Sequence, residues 1–172
     1  RWEDVGGLGE AKARLREAVE WRVRHPELCR HYGVRPPRGI LLIGPAGSGK
    51  TLLARAAATE SGLPVFATSW AALLSKWVGD TERAIRDVFR RARQAAPSLV
   101  LIDELDALAA ARGAAGESRV GDRAVAQLLA ELEGLAGASP VVVIGATSRP
   151  DLLDAALLAA GRFEDVIELG PL

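Results

Sequence analysis

Gly44-Pro45-Ala46-Gly47-Ser48-Gly49-Lys50-Thr51 fits the pattern G-x-x-x-x-G-K-[ST], and the apolar run Gly39 to Ile43 stands directly before it. After Lys50, Leu53, Ala56 and Ala57 recur at helical spacing as far as Gly62. Strand, glycine-rich turn and helix in that order make a phosphate-binding loop. Glycines let the chain wrap closely enough for backbone N–H groups to face phosphate oxygens, and the positive end of the next helix aims at the same point. Pro45, Ala46, Gly47, Ser48 and Gly49 would wrap the phosphates, Lys50 would bridge the outer ones and Thr51 would hold Mg²⁺.

Further along, Pro64 to Thr68, Leu99 to Ile102, Val141 to Ala146 and Asp165 to Leu169 are apolar runs too short for comfortable helices. Longer segments with helical spacing separate them. A helix from about Glu10 to Arg24 presents Leu15, Ala18, Val19 and Val23 and stops before Pro26. Ala84, Ile85, Val88, Phe89 and Ala92 define another, with Asp80 or Thr81 as N-cap and an end near Pro97. Val120, Ala124, Val125, Leu128, Leu129 and Leu132 define a third, with Gly134 just past its end. The Ala/Gly-rich stretch from Arg112 to Gly121 reads as a loop. Alternation of this kind is that of a parallel sheet covered by helices, so the fold class is α/β.

Two more strand ends carry polar side chains. Leu99-Val100-Leu101-Ile102 finishes in Asp103 and Glu104, paired acids that are costly on a buried strand unless a cation meets them. At the carboxyl edge of a parallel sheet, Asp103 can position Mg²⁺ through its water shell, and Glu104 can accept a proton from the attacking water or orient it. Val141 to Ala146 leads into Thr147-Ser148-Arg149-Pro150, where Thr147 or Ser148 could donate to a γ-phosphate or to that water. Arg162, in Gly161-Arg162-Phe163, could supply positive charge to phosphoryl groups as an arginine finger. Lys76-Trp77-Val78-Gly79 puts a large aromatic in an exposed loop, where it can grip something.

Composition excludes several alternatives. The 172 residues, 49% apolar and 26% charged, suit one globular domain. Lysine plus arginine and aspartate plus glutamate both total 22, so no bulk attraction to nucleic acid or anionic membrane arises. Glu82 and Asp87 interleave the arginines between Arg83 and Arg93, which suits a solvated or inter-subunit face better than a nucleic-acid stripe. One cysteine, Cys29, forms no internal disulfide, and with only His25 and His31 beside it there is no basis for a zinc site or a Ser-His-Asp triad. No apolar run approaches the roughly 18 residues of a membrane span, so the expected compartment is the cytoplasm. Arg at position 1 and the absence of Met read as a piece cut from a longer chain.

Taken in order, these motifs resemble those of the AAA ATPases of the valosin-containing protein and cell-division-control type. Trp2-Glu3-Asp4-Val5-Gly6-Gly7-Leu8, His25-Pro26-Glu27-Leu28, Gly33 to Gly39 and Gln127-Leu128-Leu129 extend the likeness over essentially the whole chain. The resemblance implies a three-layer P-loop NTPase fold with a five-stranded parallel sheet in strand order 5-1-4-3-2. It implies that residues 1–172 form the large α/β subdomain, with a linker and helix over 1–38 and the core over 39–172. It also implies ATP and Mg²⁺ as cofactors, a homohexameric ring with ATP at subunit boundaries, and a polypeptide substrate. Asp4 and Gly6 would lie near the adenine and Leu52 beside the base or ribose. Lys76, Trp77 and Val78 match the central pore loop that pulls polypeptide, Arg112 to Gly121 the second pore loop, and Arg162 an arginine finger reaching the neighbour's nucleotide.

The chain departs from that pattern at several positions. Ser148 stands where the family usually has Asn; its shorter hydroxyl reaches phosphate or water less directly, so slower hydrolysis is expected. Ala159 replaces a second arginine finger and Ala160 the following Pro, leaving trans activation to Arg162. Ala46 and Ser48 replace a Pro and a Thr without removing backbone donors. The family's helical lid, which should follow Leu169, is missing, so this piece is expected to bind nucleotide more weakly than its parent and to stay monomeric.

Overall fold

Near-continuous apolar strands demand cover on both faces, and the period-two alternation of side chains sorts each strand between two cores. The structure, a computed structural model, describes residues 9–33, 39–45, 49–76, 80–107, 118–135, 140–152 and 163–169. Five strands, β1 (Gly39–Ile43), β2 (Val65–Ser69), β3 (Ser98–Asp103), β4 (Val141–Thr147) and β5 (Phe163–Glu168), form one sheet in the order β2-β3-β4-β1-β5. Every pairing is parallel. This is the strand order implied by the resemblance, with β4 between the strand that enters the phosphate loop and the one that ends in acids.

Helices α1 (Gly9–Arg24), α2 (Pro26–Tyr32), α3 (Lys50–Ser61), α4 (Trp70–Lys76), α5 (Thr81–Gln94) and α6 (Ser118–Gly134) complete the described elements, with a 3₁₀ turn at Pro150–Leu152. On one face Leu41, Val100, Ile102, Val141, Val143 and Phe163 pack with Trp70, Phe89, Leu128 and Leu132 from α4, α5 and α6. On the other, Ile40, Leu42, Leu99, Leu101, Val142, Ile144 and Ile167 pack with Leu15 and Val19 of α1 and Leu53 and Ala57 of α3. The result is three layers. Each large aliphatic taken wholly out of water contributes about 1.5–3 kcal/mol, an upper value given a compact unfolded chain.

Several boundaries differ from the sequence reading. β1 matches residue for residue, but β3 gains Ser98 and Asp103 because the ladder pairs them with Val141 and Ser69 across the sheet. β5 starts at Phe163, since that residue pairs with Gly39 across a register irregularity. Two short helices were not expected: α2, where Pro26 takes a first helical position that needs no N–H, and α4, opened by the Ala72 N–H donating to Ser69 Oγ over 3.1 Å. Lys76 therefore ends a helix; Trp77 and Val78 lie outside the described residues. Ser118 to Gly121 belong to α6, so the stretch read as a loop from Arg112 is helical at its end. Gly134 is the last residue of that helix, one position inside the expected cap. Asp80 does occupy the N-cap of α5, yet its side chain caps no N–H and lies 3.7 Å from Arg83 instead.

One glycine is required by packing. A Cβ at Gly145 in β4 would lie 2.6 Å from Leu105 Cδ1 and 3.0 Å from the Phe163 ring, so only a bare backbone lets Leu105 settle over the strand.

Candidate functional site

Ligands bind parallel sheets outside the carboxyl ends of the strands, where chain order switches direction. Here that edge collects the ends of β1, β3 and β4. The Gly44 N–H donates to the Thr147 carbonyl (3.2 Å), and the Leu169 N–H donates to the Ile43 carbonyl (2.7 Å), tying the end of β1 to both neighbours. Gly49, with φ 89, closes the loop in a backbone conformation that glycine tolerates best. It also serves as N-cap of α3 without a side-chain cap, and the first turn of α3 holds no acid. The helix therefore offers its amide end to an anion with no carboxylate of its own in the first turn.

Lys50 opens α3, and its Nζ donates to the carbonyls of Gly44 (2.6 Å) and Pro45 (2.9 Å). Next to it, Thr51 Oγ1 donates to Asp103 Oδ2 over 2.7 Å, joining the first turn of α3 to the end of β3. Asp103 Oδ1 meanwhile accepts from the Glu104 N–H at 2.8 Å. Glu104 itself has φ 55, the left-handed region disfavoured for a residue with a Cβ, and its side chain is exposed. Strain of this kind, at a charged residue on a cleft, belongs to sites where the backbone is held for a purpose.

These groups surround a cleft of about 540 Å³, a size suited to a small organic ligand. Gly49, Lys50, Thr51 and Leu52 line one side, Asp103, Glu104, Asp106 and Ala107 another, and Thr147 and Ser148 the third. Eight of the residues singled out from sequence thus meet in one place: Gly49, Lys50, Thr51, Leu52, Asp103, Glu104, Thr147 and Ser148. Leu52 is 46% exposed and so is open to a ligand in the cleft. Pro45 contributes a carbonyl to Lys50. Asp4, Gly6, Ala46, Gly47, Ser48, Trp77, Val78 and Arg162 lie outside the described residues, as does the stretch from Arg112 up to Ser118.

Thr147 and Ser148, the two candidates for a donor to phosphate or water, differ in their surroundings. Ser148 is exposed on the cleft, whereas the Thr147 hydroxyl is buried and donates to Asp106 Oδ1 at 3.0 Å. Asp106 was missed, although three acids within Asp103-Glu104-Leu105-Asp106 were there to be read. Beyond it, Arg149 Nε and Nη2 donate to Asp151 at 3.1 and 2.9 Å. That hydrogen bond holds the Asp151 carboxyl below the usual carboxylate range and raises Arg149.

Residues at this cleft fit a magnesium nucleotide. A hydroxyl and a carboxylate oxygen 2.7 Å apart are hard donors suited to Mg²⁺, which usually takes one or two protein oxygens and completes its shell with phosphate and water. Among the described residues no group of three His, Cys, Asp or Glu could hold a metal without such help. No described helix is long and apolar enough to cross a membrane.

A glycine-rich loop between strand and helix, facing two acids across parallel strand ends, defines a P-loop nucleotide-binding domain. Residues 40–171 match the family described as ATPase family associated with various cellular activities (AAA), and the chain belongs to it: it is an AAA ATPase domain. It is 54% identical to Protein SAV of Sulfolobus acidocaldarius over 99% of this chain and 22% of that protein. The Cell division cycle protein 48 homolog of Archaeoglobus fulgidus is 53% identical over 99% of this chain and 23% of its own length. The Proteasome-activating nucleotidase of Methanocaldococcus jannaschii is 46% identical over 98% of this chain and 40% of its own length. The chain thus spans about a fifth to two fifths of these relatives.

Proposed function

We propose that the domain binds ATP with Mg²⁺ and hydrolyses it to drive remodelling or unfolding of protein substrates by a cytoplasmic homohexameric ring, residues 1–172 being its large α/β subdomain. The observation that carries the nucleotide reading is the Thr51–Asp103 contact beside Lys50, which gathers hydroxyl, carboxylate and ammonium at one cleft. Thr51 and Asp103 are the residues that would hold the metal. Bound Mg²⁺ supplies positive charge to the phosphate oxygens. Lys50 lies against the outer phosphates and offsets the charge that builds on them in transfer. Glu104 orients the attacking water or takes its proton, and the Ser148 hydroxyl reaches the terminal phosphate or that water. Asp4, Gly6 and Leu52 hold the base and ribose, Arg162 reaches a neighbour's nucleotide, and Lys76, Trp77 and Val78 grip polypeptide. The name proteasome-activating nucleotidase supports a nucleotide-dependent role beside protein breakdown as a reading by kinship, and the ring follows from the family resemblance.

Calorimetric titration of the full-length protein with ADP and ATP, with and without Mg²⁺, tests binding, and phosphate release tests hydrolysis. Glu104→Gln should abolish release while binding persists; an unchanged rate removes Glu104 from its role.

The short Ser148 hydroxyl on the cleft favours a second reading, a weakly active or inert ring subunit that holds ATP as a structural or regulatory ligand. On that reading Ser148→Asn raises turnover sharply. No change from an ordinary starting rate rules it out.

A further inference from the structure

For Glu104 and Ser148 to serve one reacting centre, the chain after β3 and the chain after β4 must keep a fixed separation, because small misplacements at a catalytic centre are expensive. Two ties span the gap. The Leu105 N–H donates to the Ala146 carbonyl at 3.1 Å, and the Thr147 hydroxyl donates to Asp106 Oδ1 at 3.0 Å. On the first side, the Ala107 N–H donates to the Glu104 carbonyl at 3.0 Å, closing the turn that carries both Glu104 and Asp106. On the second, Thr147 Oγ1 accepts the Arg149 N–H at 3.1 Å, so one oxygen brackets Ser148 from either side. Thr147 is only 1% exposed, which keeps water from competing for that oxygen.

We infer that Asp106 is a positioning residue for ATP hydrolysis: through the Thr147 hydroxyl it sets where Ser148 stands relative to Glu104. The inference rests on the hydrolytic reading above and extends it to a residue that touches neither phosphate nor metal in that scheme. Asp106 is half-buried on the cleft wall between Leu105 and Ala107, which pack on one core, so kinetic and exchange readouts are what separate positioning from packing. The Arg149 guanidinium hydrogen-bonds Asp151 and meets the Asp106 carboxylate through charge alone, whereas the Thr147 hydroxyl donates to Asp106 directly.

The test compares Asp106→Ala, Thr147→Val, their combination and Asp106→Asn in the full-length protein, reading kcat, KM, ADP affinity and hydrogen exchange at the Arg149 amide. Asp106→Ala and Thr147→Val should each lower kcat about tenfold to a hundredfold, with KM and ADP affinity within about twofold, because substrate binding is untouched. The double variant should fall no further than the worse single one, since both remove the same link. Asp106→Asn keeps an acceptor oxygen and should recover kcat to within about threefold. Exchange at Arg149 should quicken in Asp106→Ala. Multiplying losses in the double variant, a loss confined to KM, or unchanged exchange would overturn the inference. Should Asp106→Ala not fold, Asp106→Glu carries the contrast: it keeps the charge but displaces the acceptor, and must fall below Asp106→Asn in kcat, the opposite ranking being fatal. No phosphate release from the unaltered protein sinks the hydrolytic reading and this role together, whereas full kcat in Asp106→Ala sinks this role alone.

Discussion

Thr51 and Asp103 sit 52 positions apart in the chain and share a 2.7 Å hydrogen bond that joins the turn opening α3 to the acidic end of β3. Thr51→Ala removes the hydroxyl and leaves the fold intact, because Thr51 is only half-buried and the net worth of such a bond is about 1 kcal/mol. Affinity for ATP with Mg²⁺ should fall roughly ten- to a hundredfold, since bonds to charged groups are worth about 1.5–3 kcal/mol. Calorimetry with and without metal checks this: the loss should appear only when metal is supplied.

Glu104 occupies a left-handed backbone conformation, φ 55, that costs a side-chain-bearing residue about 1–2 kcal/mol. Glu104→Gly should therefore raise the denaturation midpoint while eliminating phosphate release. A variant both less stable and inactive would show that the carboxylate, not the backbone, dominates stability there.

Gly145→Ala places a methyl 2.6 Å from Leu105 Cδ1 and 3.0 Å from the Phe163 ring. Leu105 can shift more readily than the ring, and the expected destabilisation is about 1–3 kcal/mol. Because Leu105 follows Glu104 directly, kcat should fall in the same variant. Thermal melting and phosphate release measure the two effects separately.

Asp151 titrates below the ordinary carboxylate range because Arg149 donates to it. A depressed carboxyl contributes stability above its unfolded pKa and loses that contribution as pH falls through the folded value. The pair is exposed, so its signature is in the titration and not in the melting curve. Carbon-detected NMR of the Asp151 carboxyl should show its midpoint move up in Arg149→Ala.

The sheet was legible because apolar runs and polar strand ends report the same geometry twice. β1 and α3 were read nearly to the residue: the glycine motif fixes one end of each, and Gly62, at φ 67, stops the helix. Strand ends were harder, since Ser98 and Asp103 join β3 only through partners on other strands. Pro26 conceals a helix start behind an apparent stop, and Ser69 is an ordinary serine until the chain folds it against Ala72. Asp106 escaped notice because its role depends on Thr147, 41 positions away, and no spacing rule connects them.

Gly44 is bonded to β4 and Ile43 to the residue that follows β5, so the exit of β1 is fastened left and right within a single step of the backbone. Pulled along its axis, that strand must slide past both flanking strands at once, the loading direction in which ladders of parallel bonds share force instead of unzipping one by one. Two hydrogen bonds on opposite sides must therefore break before the end of β1 can part from the sheet.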